Sequence, residues 1–266
     1  LDLSGGKVSD SSEAWLAESG VHRRDLVTRL IQQVLPDLLG VQEALHNQVV
    51  DLDGALSGYG QYGVGRDDGH ELGEYCTIYY RTDRFEPRGQ GTFWLSEEPE
   101  TVGSKHSDAA CNRIATWIIL ADTLAGGTEY FVLNTHWDHV SQPARLYSAK
   151  LIRERLSSLA GDRPVIVMGD MNADEDNPAI AVLLEADGSS QPRLSDGYRT
   201  IVLERDPDEA TFHAFRGTSA GNRIDYILSS EHFLPTEAAI VRTDFEGRYP
   251  SDHFPVVVVL QPADTP

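Results

Sequence analysis

Several apolar runs in this sequence end in groups that can bind a cation or move a proton. Gln42 and Glu43 follow residues 38–41, and Asn134, His136, Asp138 and His139 follow Phe131, Val132 and Leu133. Asp170 and Asn172 follow residues 165–168, and Asp225 interrupts Ile224 and Tyr226. Asp252 and His253 stand immediately before the run FPVVVVL. If these ends meet on one rim, their carboxylates repel strongly in a poorly solvated cleft, and cations must hold them together. Oxygen ligation by Glu43, Asp170, Asn172 and Asp252 suits a hard ion, Mg²⁺ or Mn²⁺, and not zinc. Each group alone has a plainer reading. An Asp after a strand serves as a turn or helix cap, and Asp225 could pair with Arg223.

The elements that must position these groups alternate along the chain. DLVTRLIQQVL places Leu26, Leu30, Ile31 and Val34 on one helical face and stops at Pro36. DLLGVQEA, CTIYYR, TWIILADT and EYFVLNTHWDH read as strands, the last leading into a helix over about 144–159. PVIVMGD is a further strand, followed by a helix capped by Asn177 with Pro178 at its first position. RIDYILSS and FPVVVVL complete the strands. Some strand-to-strand connections are too short for helical crossovers, which predicts mixed sheets with helices outside them. Residues 1–266 show no repeat and no linker long enough to divide them, so one α/β domain is expected.

The bulk composition narrows the partners. The formal charge is -20, with only three lysines beside 19 arginines. Such a surface repels nucleic acid at long range, because non-specific affinity comes from neutralised phosphates. Adaptation to a salty environment is an equal explanation of the acidity. No apolar run approaches the roughly 18 to 20 residues that span a bilayer, so a soluble protein with no membrane partner is expected. Nothing marks an obligate protein partner. Two cysteines, Cys76 and Cys111, exclude a disulfide framework and leave cytoplasmic and secreted locations both open.

The order of the motifs is informative beyond their chemistry. GVQEA at 40–44, NTHWDH at 134–139, GDMNAD at 169–174, RIDYIL at 223–228 and SDHFPV at 251–256 resemble the endonuclease/exonuclease/phosphatase superfamily. The resemblance covers nearly the whole chain. It implies a four-layer α/β/β/α sandwich of two mixed β-sheets flanked by helices, and divalent-metal-dependent hydrolysis of a phosphoester. By the same resemblance, Glu43 is the principal metal ligand and Asp252 a further metal-side carboxylate. Asp170 and Asn172 position the attacking water and the phosphate, and His253, oriented by Asp225, lies on the scissile phosphate. His136 matches a second active-site histidine, paired in nuclease-like members with a glutamate for which Glu74 is the candidate. Arg113 matches an arginine beside the phosphate. For Glu74 and Arg113 a plain salt bridge at the rim is the competing reading. Family members begin with a core strand ending in an Asn, ahead of a tryptophan–arginine segment seen here as EAWLAESGVHRR. No such strand precedes Leu1, and a clipped N-terminus is the expected reason.

The choice of phosphoester rests on loops. GVGRDDG (63–69), GTFWLSEEP (91–99) and TFHAF (211–215) resemble a bacterial branch that includes sugar-phosphate phosphatases. Arg66, Trp94 and His213 are thereby candidates to line a pocket for a small phosphorylated substrate. Trp94 has core packing as its alternative, and Arg66 a place in an acidic surface turn. The leading expectation is a phosphatase of small monoesters. A nuclease or other phosphodiesterase, and a catalytically dead binding scaffold, are the alternatives.

Overall fold

The computed structural model describes Trp15 and residues 22–185 and 192–263. The first third of the chain forms α1 (Arg23–Val34), β1 (Leu38–Ala44), α2 (His46–Ala55), β2 (Tyr59–Tyr62), β3 (Tyr75–Arg81) and β4 (Phe85–Trp94). There follow β5 (Ile114–Asp122), β6 (Thr128–His136), α3 (Gln142–Leu159), β7 (Val165–Asp170) and α4 (Pro178–Leu184). The last part contains β8 (Leu194–Asp196), α5 (Gly197–Ile201), β9 (Asp225–Ser230), β10 (Phe233–Ile240) and β11 (Val256–Pro262). The strand that the family resemblance puts ahead of Leu1 lies outside the described residues, as does most of the tryptophan–arginine segment.

Strand side chains alternate between opposite faces, and here both faces are buried. On β6 and β7, Phe131, Leu133, Val165 and Val167 pack outward on α3 and α4, meeting Leu151, Ile152, Leu156, Ile180 and Leu183. Their alternate neighbours Val132, Ile166 and Met168 turn the other way and meet Ile78 and Tyr80 of β3. Tyr79, between those two, faces the opposite side with Val41 and packs on Val27, Ile31, Val49 and Leu52 of α1 and α2. Helix, sheet, sheet, helix therefore stack as four layers. The capping read from sequence holds locally. Asn177 accepts the Ala179 N–H at 3.0 Å ahead of Pro178, and Ser141 accepts from Ala144 at 3.2 Å to start α3.

The two sheet layers differ. One is a six-stranded sheet in the order β4-β5-β6-β7-β9-β8, mixed because β6 and β7 run parallel across the α3 crossover. The facing layer was expected to be mixed too. Among the described residues it is antiparallel and in two pieces, β1-β3-β2 and β10-β11. A largely apolar groove of about 320 Å³ runs between β1 and β11, floored by Ile166 and Met168 and flanked by Leu30, Ile31 and Val34. It opens at Gly169 and Asp225, where the strands β7 and β9 deliver their polar ends.

Gly169 is the last residue before Asp170, with φ at +155°. A Cβ there would stand 2.2 Å from the Thr135 carbonyl oxygen on the neighbouring strand. The bare backbone lets β7 turn its carboxylate into the site without parting from β6. Replacing Gly169 with Ala is expected to destabilise the fold by about 1–3 kcal/mol or more. Urea unfolding checks this, and an unchanged midpoint would contradict the close approach.

Candidate active site

β1 reaches the site through a break in its ladder. The pairing of β1 with β3 slips between Gln42 and Ala44, and Glu43 between them takes a left-handed φ of +57°. A bulge of this kind re-aims one side chain, and holding a non-glycine residue there costs strain that the surrounding ladder must sustain. Behind it, Gln42 donates to the Asn134 side-chain oxygen at 2.5 Å, and the Asn134 amide donates to the Val41 and Thr77 carbonyls at 2.9 Å each. This buried knot ties the end of β1 to the end of β6 across the two sheets.

Two clusters result. In the first, Glu43, Glu74 and His136 bring ligand atoms within 4.8 Å of one another. The His136 Nδ1 is 3.7 Å from Glu43 and its Nε2 is 3.4 Å from Asp170. The Asn172 amide nitrogen, which can only donate, lies 2.9 Å from Nε2, so that the ring proton belongs on Nδ1, toward Glu43. Burial pushes the His136 pKa well below that of a free imidazole, and the charges of Arg113 and Arg66 push it the same way. The imidazole is neutral at pH 7. Glu74 binds the Arg66 Nη1 at 2.5 Å.

In the second cluster, Asp170, Asp225 and His253 converge within 4.8 Å. Asp170 and Asp225 are direct cross-strand partners on β7 and β9. The His253 Nδ1 is 2.9 Å from Asp225. Burial alone would raise the Asp225 pKa, but the His253 charge and hydrogen bonds from His253 and Thr211 bring it below the usual value, so the carboxylate stays ionised. The alternative reading of Asp225 as an ion-pair partner of Arg223 does not hold; Arg223 pairs with Glu175 and Asp196 and donates to the Asp225 backbone carbonyl. Asn172 also adopts a left-handed φ, +46°, and its N–H donates to Asp170 at 2.8 Å.

The remaining sequence candidates take different positions. Asp252 is in neither cluster of three among the described residues; its carbonyl accepts from the His213 and Ala214 backbone at 2.8 and 3.1 Å. Arg113 is 5% exposed, with Nη2 at 3.0 Å from the His139 Nδ1 and no partner for Nε and Nη1. Trp94 is only 4% exposed and offers no stacking face, because it packs with Cys76 and Ile114 beneath the loop. Its indole N–H holds the Arg66 carbonyl at 2.7 Å, beside the Asn112 amide at 2.9 Å. His213 likewise turns inward, stacked on Phe254 with ring centroids 3.9 Å apart. Two supports take roles that the sequence reading did not assign. The Thr211 hydroxyl receives the Ile224 and Asp225 N–H groups at 3.1 and 3.3 Å, and Asp138 receives those of Ala110, Val140 and Ser141. TFHAF and NTHWDH were the visible signals, but nothing in either told structural from chemical members.

Carboxylates packed this closely, with Glu43 held in a strained bulge to join them, form a donor set that fits a hard divalent cation. Residues 15–253 match the Endonuclease/Exonuclease/phosphatase family, and the chain belongs to it. Members of this family are metal-dependent hydrolases acting on phosphoester bonds. A Bacteroides vulgatus endonuclease/exonuclease/phosphatase structure is similar at 36% identity and a TM-score of 0.81, covering 91% of this chain and 90% of its own. A Bacteroides thetaiotaomicron mannosyl-6-phosphatase is similar at 34% identity and a TM-score of 0.79, covering 90% of each chain. Nocturnin of Drosophila melanogaster is 26% identical over 89% of this chain, which spans 41% of the length of that curated relative. No helix among the described residues is long and apolar enough to cross a membrane.

One titration follows from the geometry. Burial lowers the His213 pKa from 6.5 to about 4, although Asp252 opposes the shift. Between those values the unfolded chain binds a proton that the folded one refuses, so stability falls as pH drops from about 6.5 toward 4. The variant H213N, which keeps an acceptor for the Gly217 N–H, is expected to show a flatter thermal midpoint over that interval. An identical pH profile in both proteins would remove His213 as the cause.

Proposed function

We propose that the chain is a phosphatase of small phosphate monoesters, sugar phosphates above all, working with Mg²⁺ or Mn²⁺. The observation that carries this reading is the placement of Arg66 and Arg113, whose charges both bear on His136 and whose buried Nε atoms have no hydrogen-bond partner among the described residues. A buried guanidinium with unsatisfied N–H groups is costly unless an anion completes it. Arg113, without a carboxylate ion pair among the described residues, and Arg66, which shares Glu74 but keeps its Nε open, suit an anion of small size in a chain of charge -20. The likeness to a mannosyl-6-phosphatase supports the same substrate class.

In this reading Glu43 and Asp252 would hold the cation, and Glu74 both approaches Glu43 and fixes Arg66. When bound, the cation supplies Lewis acidity that draws charge from the phosphoryl oxygens. Asp170 accepts a proton from the attacking water, while Asn172, uncharged, adds no repulsion beside it and spends its amide N–H groups on His136 Nε2 and the Trp137 carbonyl. Asp225 holds His253 at Nδ1, which leaves Nε2 as a donor to the phosphoryl group. His136, kept neutral, lies between the two clusters without adding charge. Arg113 and Arg66 bind phosphate oxygens. Trp94 sets Arg66 from below, and His213 steadies the Asp252 segment through its backbone. The small phosphorylated substrate is the only partner the reading requires.

Phosphate release from sugar phosphates, nucleotides and a bis-aryl phosphodiester, with Mg²⁺, Mn²⁺ and EDTA arms, tests it. The expected result is EDTA-sensitive release from sugar monophosphates with the diester untouched. Turnover of the diester alone would replace the proposal with a phosphodiesterase. In the same assay D170N is expected to lose about 10²–10⁴-fold in kcat with its thermal midpoint retained. Near-full activity in D170N would remove Asp170 as the base.

A further inference from the structure

Several buried or half-buried arginines of this molecule are paired with acids, and Arg113 is held differently. Arg66 pairs with Glu74, Arg223 with Glu175 and Asp196, and Arg199 with Glu175 and Glu209. Arg113, 5% exposed, makes no carboxylate ion pair among the described residues, and the group that touches its guanidinium is the His139 imidazole at 3.0 Å. A guanidinium can only donate, so Nδ1 is the acceptor, and the ring is neutral with its proton on Nε2. The contact fixes one nitrogen of the guanidinium without cancelling its charge. A carboxylate in the same place would fix it as well, but would neutralise the field directed at the site.

The segment carrying Arg113 is held at a second point by the preceding residue. The Asp138 Oδ2 accepts the Ala110 N–H at 2.8 Å, while its Oδ1 accepts the Val140 and Ser141 N–H groups at 3.0 and 2.7 Å. Asp138 therefore staples the loop backbone to the exit of β6, and His139, one residue on, grips the side chain that the loop presents. Cys111 lies in the same group. The guanidinium bound to this ring repels a cation, which argues against a metal there.

We propose that His139 is a positioning residue for phosphate binding: its neutral imidazole fixes Arg113 through Nη2 and leaves the uncancelled charge, with Nε and Nη1, to the substrate's phosphate. This rests on Arg113 as a phosphate-binding group, as argued above. The benefit is entropic and electrostatic together. A long side chain is held before the substrate arrives, so less freedom is lost on binding, and its charge, though it feels Asp138, is not taken up by a carboxylate ion pair. His139 itself is exposed, so its removal leaves the core intact.

Binding of inorganic phosphate by calorimetry, with Mn²⁺ present throughout, tests the proposal on the full chain and on H139A, H139N, R113M and the double variant H139A/R113M. The expected pattern has four parts. R113M weakens phosphate binding about tenfold or more, and H139A weakens it about three- to tenfold. H139N, whose side-chain oxygen is a neutral acceptor, restores binding. The double variant is no worse than R113M, because His139 acts only through Arg113. Unchanged binding in R113M would refute the role of Arg113 itself. A weakened R113M beside an unaffected H139A would instead overturn the clamp alone. Additive losses in the double variant, or no recovery in H139N, would overturn it too. Thermal midpoints measured alongside separate a folding defect, which lowers the midpoint with phosphate binding unchanged, and that outcome also refutes positioning.

Discussion

Asp170 and Asp225 stand directly opposite each other on adjacent strands, both buried, and much of the surrounding structure serves to hold two like charges there. At the 4.8 Å scale of their cluster the repulsion is about 3 kcal/mol for an effective dielectric of about 20. Strand pairs normally avoid such an arrangement. Here each charge has its own compensation. Asp225 is held by His253 and Thr211, and Asp170 accepts the Asn172 N–H. A divalent cation nearby fits what remains. The left-handed backbone at Glu43 and Asn172 serves the same region, Glu43 joining Glu74 and His136 and Asn172 giving its N–H to Asp170.

The arginines show how the rest of the charge is apportioned. Arg223, fully buried, lies against the Tyr226 and Tyr198 rings and binds Glu175 and Asp196. Arg199 joins the same network through Glu175 and Glu209. This ionic brace links the loop after β7 to the residues just before β9, so it fixes the two strand ends that carry Asp170 and Asp225. The Met171 N–H on the Ile224 carbonyl, at 2.9 Å, and the Tyr226 hydroxyl on the Ala173 carbonyl, at 2.9 Å, reinforce it. Burial would raise the Glu175 pKa, but the two arginines bring it below its ordinary value, so the brace stays charged well into acid.

Legibility in the sequence followed the physical origin of each feature. Strands buried on both faces were plain as unbroken apolar runs, and the polar residues ending them were plain because they interrupt those runs. β4 was not legible: its FEPRGQGTFW pattern carries Pro87 and two glycines, which only an edge strand with a bulge tolerates, and β4 is the edge next to β5. α2 and β10 lacked strong patterning for similar reasons. The run DMNADED is one acidic stretch in the sequence and two structures in the fold. Asp170 and Asn172 enter the site, while Glu175 and Asp176 turn away to Arg199, Arg223 and Arg205. No local pattern separates these halves, because the partners of Glu175 lie some 24 and 48 residues away. Trp94 and His213 misled for a related reason: an aromatic ring beneath a loop and one above it leave the same trace in a sequence.

The charge distribution also bears on the size of the proposed substrate. Outside the site the chain presents an acidic surface, with the excess of 20 negative charges spread along its length. At physiological ionic strength that field decays over about 8 Å. In the proposed function a phosphate group in the site would be governed by Arg66, Arg113 and the cation, and the remainder of a small monoester would end before it met much else. A polyanion would have to lay further phosphates over acidic surface, with no lysine cluster to receive them and its counterions retained. In that proposal the buried positive groups would set what chemistry is bound, and the acidic surface would limit how far the bound molecule could extend.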